Sequence, residues 1–172
     1  LLEYTMVFFF GSNKRSFPQA VKMHSYDLGP VTITNIQLLI LVVAIVLMVG
    51  LHLIVKQTKM GKAMRAVSVD SDAAQLMGIN VDSTISFTFA LGSALAGAAG
   101  VLIALYYNSI DPLMGMTPGI KAFVAAVLGG IGLIPGAAIG GFVIGILETL
   151  SNAIGLSTYR DAIVYAVLIV IL

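Results

Sequence analysis

The chain has 172 residues, 59% of them hydrophobic and only 10% charged, with a mean hydropathy of +1.03 and a formal net charge of +1. Ordinary soluble domains carry about 25% charged residues, so this is the composition of an integral membrane protein, and the balanced charge leaves no footprint for nucleic acid. No cysteine is present, which removes disulfides, thiol chemistry and cysteine-ligated zinc and leaves the redox compartment undetermined.

The first residues, LLEYTMVFFFG, lack a basic n-region and a small-residue cleavage site, so they do not read as a signal peptide. The chain starts inside an apolar run without an initiator Met and stops at Leu172 inside another, AIVYAVLIVIL, so a fragment is expected. Residues 1–10 then form a truncated span, closed by Val7 to Phe10, and residues 11–35 a polar connection. Within it Val31 to Ile36 alternates apolar residues with Thr and Asn, which permits a short strand.

Residues 36–55 are apolar apart from Gln37 and, near the end, His52. About 20 residues at roughly 1.5 Å each cover about 30 Å of hydrocarbon, one complete crossing. A polar island, residues 56–82, follows. Lys56, Lys59, Lys62 and Arg65 make a basic collar, against Lys14, Arg15 and Lys22 in the preceding loop, a balance that places the island inside the cell. Asp70 or Ser71 can cap a helix whose Ala73, Leu76 and Met77 share one face, and Gly78 stands where a left-handed residue would end it. A helix of about two turns does not persist alone in water, so it has to pack on its own chain or on a partner.

Asp82 or Ser83 can cap the next span, residues 84–107, which has no charge after its cap and ends in Tyr106-Tyr107, a pair suited to the headgroup boundary. Residues 119–150 exceed one crossing and contain Pro135, which points to two short helices meeting between Gly129 and Gly136 as a broken hairpin rather than one long kinked helix. Loops at 108–118 and 151–160 flank it, and a partial last span covers 162–172. The fold expected is all-α, a polytopic transmembrane helical bundle.

Gly132, Gly136 and Gly140, with Gly92, Ala96 and Gly100 in the preceding span, repeat a four-residue spacing of small residues. Such ridges let helix backbones touch in lipid, where no hydrophobic effect favours association, and packing is preferred here over lining a pathway. After the truncated first span, which holds Glu3, Glu148 is the one acid inside an apolar helix, a candidate functional group. Its place one turn before Ser151-Asn152 equally suits a hydrated interfacial carboxylate. His52 lies within a turn of Lys56 and reads as interfacial. His24 has no metal-ligand neighbour at useful spacing, and the Ser, His and Asp residues are too scattered for a triad, so neither a metal nor a catalytic site is expected.

The spacing Asp72-Ala73-Ala74-x-x-x-Gly78 resembles the Glu-Ala-Ala-x-x-x-Gly signature in the cytoplasmic loop of bacterial ABC importer permeases, with Asp in place of Glu. With TKMGKAMRA at 58–66, LAGAAGVL at 95–102 and KAFVAAVLGGIGLIPGAAIGGFVIGILETL at 121–150, the stretch from Ile36 to Leu172 resembles the smaller permease type of branched-chain amino acid importers. One departure is that Thr88-Phe89-Ala90-Leu91 stands where the broader importer signature has Ile-x-Leu-Pro.

The resemblance implies a multi-pass subunit of a bacterial inner membrane, working with ATPase subunits, a second permease subunit and an external substrate-binding protein. The cargo it implies is Leu, Ile or Val, with urea, amides or other amino acids moved by near relatives. It also implies that 56–82 is a cytoplasmic coupling loop, in which Gly61, Arg65, Ala66, Asp72, Ala73, Ala74, Leu76 and Gly78 engage the ATPase. Gly92, Ala96, Gly100, Gly132, Pro135, Gly136, Gly140 and Glu148 would serve helix packing or the pathway. No G-x-x-x-x-G-K-[ST] occurs, so any ATP chemistry is expected from another chain and no cofactor here. The competing class is half of an ion-coupled secondary transporter or channel, for which broken glycine-rich helices are also expected. Such carriers commonly hold charges in the membrane interior, and residues 36–55, 85–107 and 122–147 have none beyond His52, which favours the importer. A plain membrane anchor would need neither the capped helix nor the hairpin.

Overall fold

The computed structural model describes residues 2–17, 25–27, 32–155 and 157–171. Lys22 and His24 lie outside them. The chain divides into two compact units, residues 11–111 and residues 1–10 with 112–172. Among the described residues three helices are long and apolar enough to cross a membrane, Asn35–Gln57, Val81–Tyr107 and Ile134–Ala153.

Residues 11–111 begin with β1 (Arg15–Ser16), β2 (Ser25–Asp27) and β3 (Thr32–Thr34), and β2 pairs antiparallel with β3. Thr34 and Gln37 form a capping box at the start of α2 (Asn35–Gln57), so this helix starts one residue before the expected span and runs two beyond it. Helix α3 (Lys59–Val69) follows after a single residue, Thr58. Then come α4 (Ser71–Leu76) and α5 (Val81–Tyr107).

Asn80, not Asp82 or Ser83, caps α5. Its side-chain oxygen accepts the Ser83 N–H at 3.0 Å, so Asp82 falls in the first turn, where a carboxylate suits the helix dipole. At the other end Asn108 takes a left-handed conformation, φ 50°, and β4 (Ser109–Ile110) pairs antiparallel with β1. That pairing brings residues 15–16 and 109–110, expected in two separate loops, to the same end of this unit.

The other unit contains α1 (Leu2–Phe10), α6 (Met116–Gly129), α7 (Ile134–Ala153) and α8 (Arg160–Ile171), the last preceded by a short 3₁₀ turn, Ser157–Tyr159. Helices α6 and α7 are separate elements with an abrupt turn between them, not one kinked rod. Gly130 and Gly132 both have left-handed φ, 90° and 95°, values that side-chain-bearing residues rarely adopt. Pro135 sits in the first turn of α7, where its missing N–H breaks no helix bond. Helix α6 starts at Met116 rather than 119, with Gly119 N–H bonded to the Gly115 carbonyl at 2.9 Å, and α7 continues three residues past 150 to Ala153. At about 1.5 Å per residue, α6 is about 21 Å long and α7 about 30 Å.

Backbone-to-backbone contact joins the hairpin. A Cβ added to Gly129 would collide with the backbone of Gly136, one on Gly136 with Gly129, and one on Gly140 with the Ala125 carbonyl. These pairings, 129 with 136 and 125 with 140, fix the two helices as antiparallel. The small-residue ridge is therefore Gly136 and Gly140 facing Gly129 and Ala125. Gly132 belongs to the turn and not to the ridge, because its φ takes it out of the helix. Below it Val124, Ala125, Ile144 and Val164 form a buried cluster, with Tyr165 packed on it, which ties α8 to the hairpin.

Gly136→Ala should thus be costly, by about 1–3 kcal/mol as for an overpacked core, and should lower the thermal unfolding midpoint of the detergent-purified protein. Gly145→Ala on the same helix, where a Cβ meets nothing within 4 Å, should leave the midpoint unchanged. Equal effects of the two substitutions would contradict the seam.

Candidate functional site

The polar island is a folded elbow of two helices. Thr58 breaks the chain between α2 and α3: its hydroxyl donates to the Ile54 carbonyl at 2.6 Å and accepts the Gly61 N–H at 3.0 Å. The bend is so tight that a Cβ on Gly61 would strike the carbonyls of Ile54 and Val55. Gly61 is buried, and Arg65 reaches back to the Lys56 carbonyl at 3.5 Å, the outer limit for such a bond. Helix α3 packs on α2, α4 and α5. It stands where only a basic collar was expected, and its half-buried Met60, Ala63, Met64 and Val67 carry the helical spacing that would have shown it. Ala66 is half-buried on the same helix.

Asp70 is the cap of α4. One of its carboxylate oxygens accepts the N–H groups of Asp72 and Ala73, each at 3.0 Å. The helix ends in a Schellman motif, with Ile79 N–H bonded to the Ala74 carbonyl and Gly78 N–H to that of Gln75, both at 3.0 Å, and with Gly78 at φ 84°. Both stops are therefore set by local chemistry.

Between them the helix divides its side chains sharply. Ala74 is 5% exposed and anchors α4 on its own chain, whereas Leu76 and Met77 are 89% and 83% exposed. Ala73 and Asp72 are exposed too. The expected apolar face of Ala73, Leu76 and Met77 thus points away from the chain's own packing, and Ala74, grouped with Ala73 in the motif, points inward. An open hollow of about 450 Å³ flanks the helix, lined by Ser71, Asp72, Gln75, Gly78, Asn80 and Asp82 among others.

The remaining predicted residues fall elsewhere. Gly92 has open space where a Cβ would be, Ala96 is exposed and Gly100 is half-buried, all on α5. Thr88, where the importer signature departs, donates within α5 to the Thr84 carbonyl at 2.8 Å.

Glu148 is not the free, hydrated carboxylate that its sequence position suggested. Lys121 on α6 bridges Glu148 on α7, at 2.5 Å, and Asp161 on α8, at 2.7 Å, with Arg160 also 3.5 Å from Asp161. Lys121 and Glu148 are mostly shielded, at 17% and 23% side-chain exposure. The cluster lies at the end of the hairpin away from the Gly130–Leu133 turn, one helical turn from Val124, Ile144 and Val164, and so closes the end of that apolar cluster. Lys121 and Asp161 were missed by sequence reasoning. Their signal was the hairpin itself, since a turn centred near residue 132 brings 121 close to the level of 148.

Three helices long and apolar enough to cross a membrane, with a short capped helix between the first two, define the class as a polytopic membrane protein. The family model described as branched-chain amino acid transport system / permease component matches residues 2–172, and the chain belongs to that family. It is 45% identical over 141 residues to the high-affinity branched-chain amino acid transport system permease protein LivH of Escherichia coli K12, covering 82% of this chain and 46% of that one. It is 42% identical to the permease protein BraD of Pseudomonas aeruginosa, over 85% of this chain and 48% of the relative. The ribose import permease protein RbsC of Haemophilus influenzae is 32% identical over 69% of this chain and 38% of its own length. The chain spans about half the length of the first of these relatives. No solved structure matches it.

Nothing lies within 4 Å of a Cβ at Gly78, so its left-handed φ, rather than a lack of space for a Cβ, sets the cost of a substitution there. Gly78→Val should cost about 1–2 kcal/mol and lower the unfolding midpoint by a few degrees. Gly78→Asn, which tolerates a left-handed φ, should cost less. Indistinguishable midpoints for Val and Asn would refute the left-handed cap.

Proposed function

We propose that the chain is part of the membrane-spanning permease subunit of an ATP-driven importer, with branched-chain amino acids as its cargo. The observation that carries this reading is α4, a two-turn helix anchored through buried Ala74 while Leu76 and Met77 face outward. Two adjacent large apolar side chains on a capped helix suit a groove on a partner, and in this reading the partner is the ATPase subunit. Its ATP hydrolysis would drive movements of the elbow, and α3 would carry them into α2 and α5. A second permease subunit, an external binding protein and a bacterial inner-membrane location complete the assembly. The cargo rests on the higher identity to LivH and BraD than to the ribose permease.

In this reading the island at 56–82 and the Gly130–Leu133 turn face the cytoplasm, and residues 11–34, 108–115 and 154–159 face outward. The charged cluster at Lys121, Glu148 and Asp161 then lies at the outer boundary. That position speaks for a structural clasp rather than for the midplane ion site of a coupled carrier.

The full-length protein, expressed with its genomic neighbours, should bring down an ATPase subunit. Leu76→Asp together with Met77→Asp should reduce the recovered ATPase by tenfold or more, the size expected for a docking hot spot (about 2 kcal/mol), while the subunit stays in the membrane. Ala74→Glu is the wrong probe for docking, because it places a charge in the chain's own packing. Failure of the unsubstituted protein to bring down any ATPase would overturn the importer reading.

A further inference from the structure

Three lysines stand at the foot of α2. Lys56 is exposed in the last turn of α2, and Lys59 and Lys62 are exposed on α3. None of the three forms an ion pair among the described residues. The acids of the island lie further along the chain. Asp70 is committed to capping α4, while Asp72 and Asp82 line the hollow beside it. The island is therefore polarised, basic where it leaves the span and acidic beside the exposed apolar helix.

The position of the basic end follows from α2. Its 23 residues have a mean hydropathy of 3.2 over the most apolar stretch, and Lys56 is the first charge after it. The chain then turns at once, and α3 lies against the foot of both α2 and α5. The half-buried side of α3 is Met60, Ala63, Met64 and Val67, which leaves Lys59 and Lys62 on its outer side. Three cations within seven residues thus stand at the level where hydrocarbon gives way to headgroups. Lysine suits that level, since its methylene stem can cover apolar surface while the ammonium reaches a phosphate.

We propose that Lys56, Lys59 and Lys62 form a binding surface for the phosphate of anionic membrane lipids, which fastens the α2–α3 elbow to the headgroup layer. Charge complementarity and the location at the end of two spans select a lipid over an acidic protein, and α4 carries the apolar side chains that a protein partner would bury. The proposal is independent of the cargo and of the ATPase.

The test is the selectivity of the full-length permease for phosphatidylglycerol over phosphatidylcholine, read with spin-labelled lipids after reconstitution in mixed bilayers. The unsubstituted protein should prefer phosphatidylglycerol several-fold. Each Lys→Gln should remove part of that preference and the three together should abolish it, while Lys→Arg should retain it. Raising the salt should weaken the preference of the unsubstituted protein, a measurement that needs no variant. Inorganic phosphate or glycerol phosphate at matched concentration should not compete. An unchanged preference in the folded triple Lys→Gln variant would overturn the proposal. So would equal competition by soluble phosphate, or a triple variant whose only defect is recovery of a protein partner.

Discussion

Backbone contact through glycine is the constraint on which both units depend. In lipid, apolar side chains gain nothing by leaving one hydrocarbon environment for another, so helices associate where their backbones can approach closely. The hairpin meets this condition with Gly129, Gly136 and Gly140, each placed where a methyl group would strike a carbonyl or backbone atom of the facing helix. The elbow meets it with Gly61 against the last turn of α2. Once those contacts form, the charged groups fall into place around them: Lys121 between Glu148 and Asp161 at the end of one unit, the lysines at the foot of the other.

The elbow turns that constraint into a presentation device. Thr58, Asp70, Gly78 and Asn80 each satisfy backbone groups at a helix end, so two helices and two breaks are specified within 23 residues. This matters because α4 is too short to be stable by itself. Ala74 supplies its own-chain contact, and the exposure of Leu76 and Met77 follows from that anchoring. Under the importer reading, rigid ends and a fixed outward face are what a partner needs in order to push on the spans rather than on a floppy loop.

Legibility in the sequence followed the range of the interaction. Gly78 as a left-handed stop, Asp70 as a cap and Pro135 as the start of a second hairpin helix depend on neighbours within a few residues, and each stands where the local rules put it. The assignment of Ala74 inward was beyond those rules, because in a six-residue helix the apolar positions leave the face undecided. Helix α3 was legible in Met60, Ala63, Met64 and Val67, but the basic residues between them drew attention to charge. The partners of Glu148 required the register of the hairpin, and Asp161 required the packing of a third helix. Gly132 shows the reverse error, a spacing that fits a ridge but falls on a turn.

The most direct test of the central claim is site-specific cross-linking, to which these 172 residues contribute no native cysteine. With the full-length protein in its native membrane, a bifunctional thiol–amine reagent would be attached to Met77→Cys or, as a control within a span, to Val101→Cys on α5, which is also exposed. The account predicts an adduct of this subunit with the ATPase from position 77 and none from position 101. The absence of an adduct at 77, or equal adducts from both positions, would contradict the claim that α4 is the surface by which this permease meets its motor.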